Sequence, residues 1–352
     1  MEPDQLTAIA PKKPSRSTII TTAILLVIMV AGTILVILEF DQIWFAIRRA
    51  DWSEIPGALL FTAAGYTCMG IAFALVSRMI GIRMRMRDLA EIGFISNIIN
   101  HVVAAGGVAG YSVRYILMNR HGATMNDVVA ASLLHFYLTS LDMILMTPVA
   151  MGYLMFNASV PRGIAVMLGM MAIMLAGGAF LATVLIFSQN WRQPLLKILA
   201  RIGKLVTRRD FSKALDQFNL TMARGVGMMQ EKPRKLLLVV LLTALDWTAS
   251  VFVLKNCLDA FGEDVKLGVA ITGFVIGIVA GVLSMVPGGL GVQEGTMTAV
   301  LVLLGVPFEQ AVLGSILFRA IYFLLPYLAS LVFYRRLMRL DIIPRDSLSS
   351  DT

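Results

Sequence analysis

One polar interruption in this chain has residue types that could do chemistry inside apolar sequence. Pro287, Gly288, Gly289, Gly291, Gln293 and Glu294 break a hydrophobic run, and Arg319 and Tyr322 follow in the next one. Proline lacks an N–H and disfavours continuation of the incoming helix, while the glycines permit a tight reversal. A new helix starting near Gln293 and Glu294 would present unpaired N–H groups and partial positive charge. Such an end favours anions, and a guanidinium such as that of Arg319 is suited to clamp a phosphate. A second interruption has the same character. Gly106 and Gly107 precede an outgoing segment that carries Arg114 about one turn in, and Asn97, Asn100 and His101 add a polar stripe before them.

Three acids belong with these residues. Asp142 and Asp246 each sit in the middle of an apolar run, and Glu294 sits at the break itself. Charges at such depth are expensive and face a partner or a wet cavity. They are read as coupling or structural charges. Glu294 is the acid best placed either to carry a proton or to brace Arg319. Metal chemistry is not expected, because His101, His121 and His135 have no Cys or acidic ligand set around them. Cys68 and Cys257 read as small apolar residues. Phosphate-binding Gly-Lys-Ser/Thr, His-Glu-x-x-His and Gly-x-Ser-x-Gly patterns are absent from the sequence. No cofactor, catalytic residue or nucleic-acid partner is expected.

The elements that position these residues are membrane helices. Of 352 residues, 58% are hydrophobic and 15% charged, against roughly 25% charged in soluble domains. Full spans are expected at about 18–38, 55–77, 127–150, 163–187, 236–256 and 310–334, each long enough to cross a bilayer. Regions 89–120 and 268–304 do not fit that template, because glycine clusters break each in the middle. The loop 189–235 carries eleven Lys or Arg against Asp210, Asp216 and Glu231, and its net +8 equals that of the chain. The positive-inside rule puts it in the cytoplasm, together with residues 1–17, the segment 78–88 and the tail 339–352. Crossings balance if both broken regions dip in and return, the first from the cytoplasm and the second from outside.

The two broken regions resemble each other. Gly-Gly opens each, Gly122 and Gly305 each precede a polar pair and a valine, and Ser132 and Ser315 each follow that glycine by ten residues. A glycine-broken hairpin followed by a full span, twice and with opposite orientation, is the pattern of an inverted-topology repeat. The expected fold is therefore an all-α polytopic membrane protein, with about six full spans plus two re-entrant broken-helix hairpins, in one membrane domain over 18–338. In the basic loop, Leu195, Ile198, Leu199, Ile202, Leu205 and Val206 share one helical face, which predicts an interfacial helix.

The stretch "VPGGLGVQEGTMTAVLVLLGVPFEQAVLGSILFRAIYFLLPYL" (Val286 to Leu328) resembles the C-terminal signature of the lysylphosphatidylglycerol synthase transmembrane-region family, also called flippase-like or UPF0104. "AAGGVAGYSVRYILMNRHG" (Ala104 to Gly122) is more loosely similar to its first motif. The resemblance implies an integral inner-membrane lipid translocator of bacteria, with both termini in the cytoplasm. Its partners would be membrane lipids: an anionic or modified phospholipid, or a hopanoid-type or polyprenyl-linked lipid, with a lipid-synthesis enzyme as a further candidate partner. Because the chain stops soon after its last span, the lysyl-transfer activity of the family name is not expected. Two other readings stay open: a small-solute secondary transporter, and a membrane-embedded lipid or glycosyl transferase or its accessory subunit.

Overall fold

The computed structural model describes residues 48, 50–102, 108–159, 162–207, 212–262, 264–284 and 286–339, and no strand occurs among them. A short turn, Trp52–Glu54, leads into twelve helices among the described residues. They are α1 (Ile55–Ile80), α2 (Met86–Val102), α3 (Val108–Asn119), α4 (Met125–Asn157), α5 (Arg162–Phe187) and α6 (Gln189–Thr207), followed by α7 (Ser212–Glu231), α8 (Pro233–Asp259), α9 (Leu267–Leu283), α10 (Val292–Leu303), α11 (Phe308–Arg319) and α12 (Leu325–Arg339).

The protein is an all-α, multi-pass membrane protein. Stretches Trp52–Ile80, Met125–Asn157, Ala165–Phe187, Pro233–Asp259 and Phe308–Leu337 are long and apolar enough to cross a bilayer. They answer to the spans expected from 55, 127, 163, 236 and 310 onward, and the expected span 18–38 lies outside the described residues. The two interrupted regions are pairs of short helices, and each pair packs on itself: α2 with α3, and α9 with α10. Their dimensions agree, with an incoming arm of 17 residues and an outgoing arm of 12 in both. Gly122 and Gly305, at φ of 85° and 92°, end the two outgoing arms in the left-handed region that favours glycine. A long helix follows each. The repeat noticed in the sequence is thus a repeat of lengths and terminators.

One expected span differs in detail. Residues 310–334 read as one continuous helix, but a π turn, Ala320–Leu324, separates α11 from α12. Pro326 has no N–H to return to the carbonyl of Tyr322, and the Tyr66 hydroxyl donates to that carbonyl instead, at 2.8 Å.

Between helices in lipid there is little hydrophobic force, so close packing and internal hydrogen bonds hold the bundle. Helix α9 packs on α10 through a stripe of small residues. A Cβ at Gly273 would meet Leu301, one at Gly277 would meet Met297, and one at Gly281 would meet Gln293. Helices α1 and α8 pack together near the centre of the bundle, where Phe61 stacks on Phe252 with ring centroids 5.0 Å apart. In the basic loop 189–235, the segment expected to be an interfacial helix is helical as α6. There Arg192 is buried, donating to the Asn219 side chain at 2.6 Å and to the last carbonyls of α5.

Helix α1 comes close to the α2 backbone at Gly70, where a Cβ would lie 2.7 Å from the Ala90 carbonyl. Gly70→Ala is expected to cost about 1–3 kcal/mol by overpacking, read as a lower unfolding midpoint of the purified protein in detergent. Gly227→Ala, at a helical site with nothing within 4 Å, should show no such loss.

Candidate functional site

The second broken helix forms as the sequence suggests, from a run of glycine conformations. The turn Pro287–Gly289 connects α9 to α10, with Gly288, Gly289 and Gly291 at φ of 61°, 63° and 77°. At Gly289 a Cβ would lie 3.1 Å from the Gly281 Cα, so the turn folds back directly onto the incoming arm. Gln293 is buried in this seam.

Arg319 closes the turn from the following span. Its Nη2 donates to the Gly288 carbonyl, its Nη1 pairs with Glu294 Oε1, and its guanidinium lies 4.9 Å from the Phe323 ring centroid. Glu294 is engaged on its other oxygen as well, because the Gly291 N–H donates to Oε2 at 2.7 Å. The carboxylate therefore stands where the helix end and the guanidinium both favour an anion. Glu294 braces Arg319 in this conformation, and an incoming phosphate would have to share or take its place.

Tyr322 lies one turn beyond Arg319, stacked on Phe318 at 5.2 Å and tilted against Tyr66 at 5.1 Å. On its inner side, Ser250 Oγ donates within 2.9 Å of the Tyr322 hydroxyl. The structure thus brings Gly288, Gly289, Gly291, Gln293, Glu294, Arg319 and Tyr322 together, with Pro287 opening the turn. Asp246 neighbours Tyr322, in electrostatic range of its hydroxyl. Asp142 is buried on α4 in electrostatic range of Asp246.

The first broken helix is described in its arms. Gly106 and Gly107 lie outside the described residues, and Asn100 and His101 are placed as helical positions near the end of α2. Asn97 is buried. Arg114 is 3% exposed: its Nε donates to Ser96 Oγ at 2.7 Å, and its guanidinium covers the Phe73 ring at 4.2 Å. No acid pairs with Arg114 among the described residues. Arm α2 also packs on the Pro287–Gly289 turn, so the two broken regions meet inside the bundle.

An apolar groove of about 470 Å³ runs between α1, α2 and α12. Tyr66, Phe94 and Ile321 line its inner wall, and Leu59, Ile71 and Leu325 line exposed positions on the outer apolar face. Phe94 makes edge contacts with both Tyr66 and Phe333. Arg87 and Glu91 also line the groove; Glu91 pairs with Arg87 at 3.0 Å and with Arg336 at 2.8 Å, and Asp88 pairs with Arg336 at 2.7 Å. Reading for charge and breaks missed this groove, since its wall is assembled from three separated segments. It also passed over the Gly273, Gly277, Gly281 spacing, a small-xxx-small stripe that signals close helix packing.

The profile described as "Lysylphosphatidylglycerol synthase TM region" matches residues 20–330. A "UPF0104 membrane protein" of Methanothermobacter thermautotrophicus is 25% identical over 74% of this chain and 77% of its own length. A second protein of that name and organism is 22% identical over 86% of this chain and 91% of its own length. A "Phosphatidylglycerol lysyltransferase" of Staphylococcus aureus is 23% identical over 89% of this chain, and the match spans only 33% of that longer protein.

Removing one partner of a buried ion pair strands the other. Arg319→Ala leaves both Glu294 and the Gly288 carbonyl without their bond, at an expected cost of about 3 kcal/mol. Combining it with Glu294→Ala should recover part of that loss. Denaturant unfolding in detergent measures both, and a double variant no better than Arg319→Ala would remove the bracing role of Glu294.

Proposed function

The chain belongs to the lysylphosphatidylglycerol synthase transmembrane-region family, and we infer from that premise that it moves a phosphate-bearing lipid between the leaflets of a membrane. The observation that carries the reading is an apolar groove whose lining reaches Ile321, two residues beyond the Arg319 that pairs with Glu294 at the helix break. The groove lining includes Ile321, on the turn Ala320–Leu324 that directly follows Arg319, together with Tyr66 of α1 and Pro326 of α12. A lipid needs both surfaces: apolar walls for acyl chains and a cation with oriented N–H groups for the headgroup. A small solute has no use for a groove exposed to hydrocarbon.

In this reading the lipid phosphate competes with the Glu294 carboxylate for Arg319 and the start of α10. Exchange of one anion for another keeps the guanidinium paired throughout, which avoids the cost of a bare charge at depth. Arg114, buried and without a carboxylate among the described residues, supplies the second cation when α2 and α3 shift. Rocking of the two hairpin-plus-span units about their contact gives alternating access. The substrate class is an anionic or modified phospholipid, with hopanoid-type and polyprenyl-linked lipids as further members. Lysyl transfer is not assigned to this chain. The net +8 of residues 189–235 favours a bacterial cytoplasmic membrane orientation with that loop and both termini inside.

The test is leaflet exchange in liposomes. Wild-type protein should exchange at least one member of a labelled panel of anionic, zwitterionic, aminoacylated and polyprenyl-phosphate lipids faster than empty liposomes. Arg319→Ala should slow that exchange at least about tenfold, matching the loss of a charge-assisted contact of roughly 1.5–3 kcal/mol. Wild-type rates equal to empty liposomes across the panel, with counterflow of a soluble solute instead, would replace the lipid reading by solute transport.

A further inference from the structure

A second polar centre lies deeper in the bundle, beyond the Arg319 site. Asp142 on α4 and Asp246 on α8 are 8% and 5% exposed, and neither makes an ion pair among the described residues. The titratable groups facing Asp246 are Tyr66 and Cys68 from α1, Asp142 from α4 and Tyr322 from the π turn. Helix α9 has no titratable residue along its length, and the acid and base of α11, Glu309 and Arg319, sit at its two ends. On α7, Arg224 is exposed and reaches Thr221. Two carboxyl groups with hydroxyl neighbours and no cation cannot both stay charged at this depth.

The fold makes room for these acids. A Cβ at Gly65 would stand 2.9 Å from Asp246 Oδ1, so α1 presents bare backbone to the carboxyl. Thr243 neighbours Asp142, and Ser250 Oγ lies 2.9 Å from both the Asp246 carbonyl and the Tyr322 hydroxyl. A separate observation gives the site an access route. Asp142 Oδ2, His135 Nε2 and Ser132 Oγ are buried without a hydrogen-bond partner among the described residues. The spacing 132, 135, 142 puts them along one face of α4. Ser77 Oγ, on α1 which packs against α4, is in the same condition. Buried polar atoms are normally satisfied, and where protein does not do it water does. This row runs from the ends of α1 and α4 nearest the basic segment 78–88 to the acids.

We propose that Asp142 and Asp246 form a proton-binding site in the middle of the bundle, loaded along the Ser132–His135–Asp142 face, and that its loading is coupled to the Arg319 site through the Tyr322 turn. Ser250 links Tyr322 to the Asp246 backbone, Tyr322 is in electrostatic range of the Asp246 carboxyl, and Arg319 lies three residues earlier on the neighbouring turn. A proton arriving from water forms an O–H bond on one carboxyl and neutralises it. Tyr322 then changes its hydrogen bond, and the π turn carries that change to Arg319. Turns of this kind are common at functional sites because their bonding is easily rearranged. Glu294, held by both Gly291 and Arg319, remains the brace. The coupling step rests on the lipid reading above; proton binding does not.

Two measurements on the purified full chain in liposomes test this. Infrared difference spectra across a pH titration should show a protonated-carboxyl C=O band that is lost in the Asp142→Asn plus Asp246→Asn variant and displaced in Tyr322→Phe. Identical titrations in wild type and the double Asn variant overturn the proton site, whether or not any lipid moves. Labelled-lipid exchange under a one-unit pH gradient should be biased, by at most about tenfold per coupled proton. The ratio of rates with and without the gradient should fall to unity in Asp246→Asn. A wild-type ratio of unity overturns the coupling while leaving lipid movement intact. Bias by a sodium gradient at fixed pH overturns the proton in favour of that ion. Absence of exchange for every lipid sinks the lipid reading alone, and the infrared titration still decides the site.

Discussion

A backbone carbonyl or N–H at membrane depth must find its partner inside the protein, and this chain meets that demand at each described break with a side chain, local or distant. The Gly288 carbonyl, freed where α9 ends, takes a bond from Arg319. The Gly291 N–H, exposed where α10 begins, bonds Glu294. The Tyr322 carbonyl, left over by Pro326, takes a bond from Tyr66. Remove these and α9, α10 and the last span could not keep their broken geometry. Arg319 and Glu294 are therefore structural before they are anything else, and any ligand at this site must substitute for bonds the fold already uses.

That double duty explains the compactness of the centre. The turn Pro287–Gly289 packs on α2, Tyr66 of α1 reaches the turn between α11 and α12, and Tyr322 of that turn reaches Asp246 of α8. Five segments distant in sequence converge there. Glycine makes this convergence possible at two kinds of place. Gly288, Gly289 and Gly291 adopt backbone conformations that other residues avoid. Gly273, Gly277 and Gly281 let the two arms of one hairpin approach closely where no hydrophobic force drives them together.

The periphery follows different physics. Helix α5 has apolar residues on most of its exposed surface, with Ile173 and Phe180 standing well clear of the bundle, as expected where lipid is the solvent. The basic segment that follows folds into α6 and α7. Buried Arg192 ties α6 to the end of α5 and to Asn219. Part of the charge in that loop is thus committed to the fold.

Much of the architecture was legible in sequence because its signals are local. A run of uncharged residues of sufficient length forms a span in any context, since lipid leaves the backbone no alternative. Pro and Gly punctuate helices by their own stereochemistry, so the break at 287–291 and the terminators Gly122 and Gly305 could be placed residue by residue. Arg319 called for an acidic partner by type and depth, with Glu294 and Asp246 both eligible. What sequence could not decide was which acid stands free. Glu294, Asp142 and Asp246 look alike as single acids in apolar runs. Only packing gives Glu294 a guanidinium and a backbone N–H, and gives Asp246 a tyrosine, a glycine and another acid. The groove was hidden for the same reason: its walls come from α1, α2 and α12, and a surface made by three segments exists only once long-range contacts have assembled it.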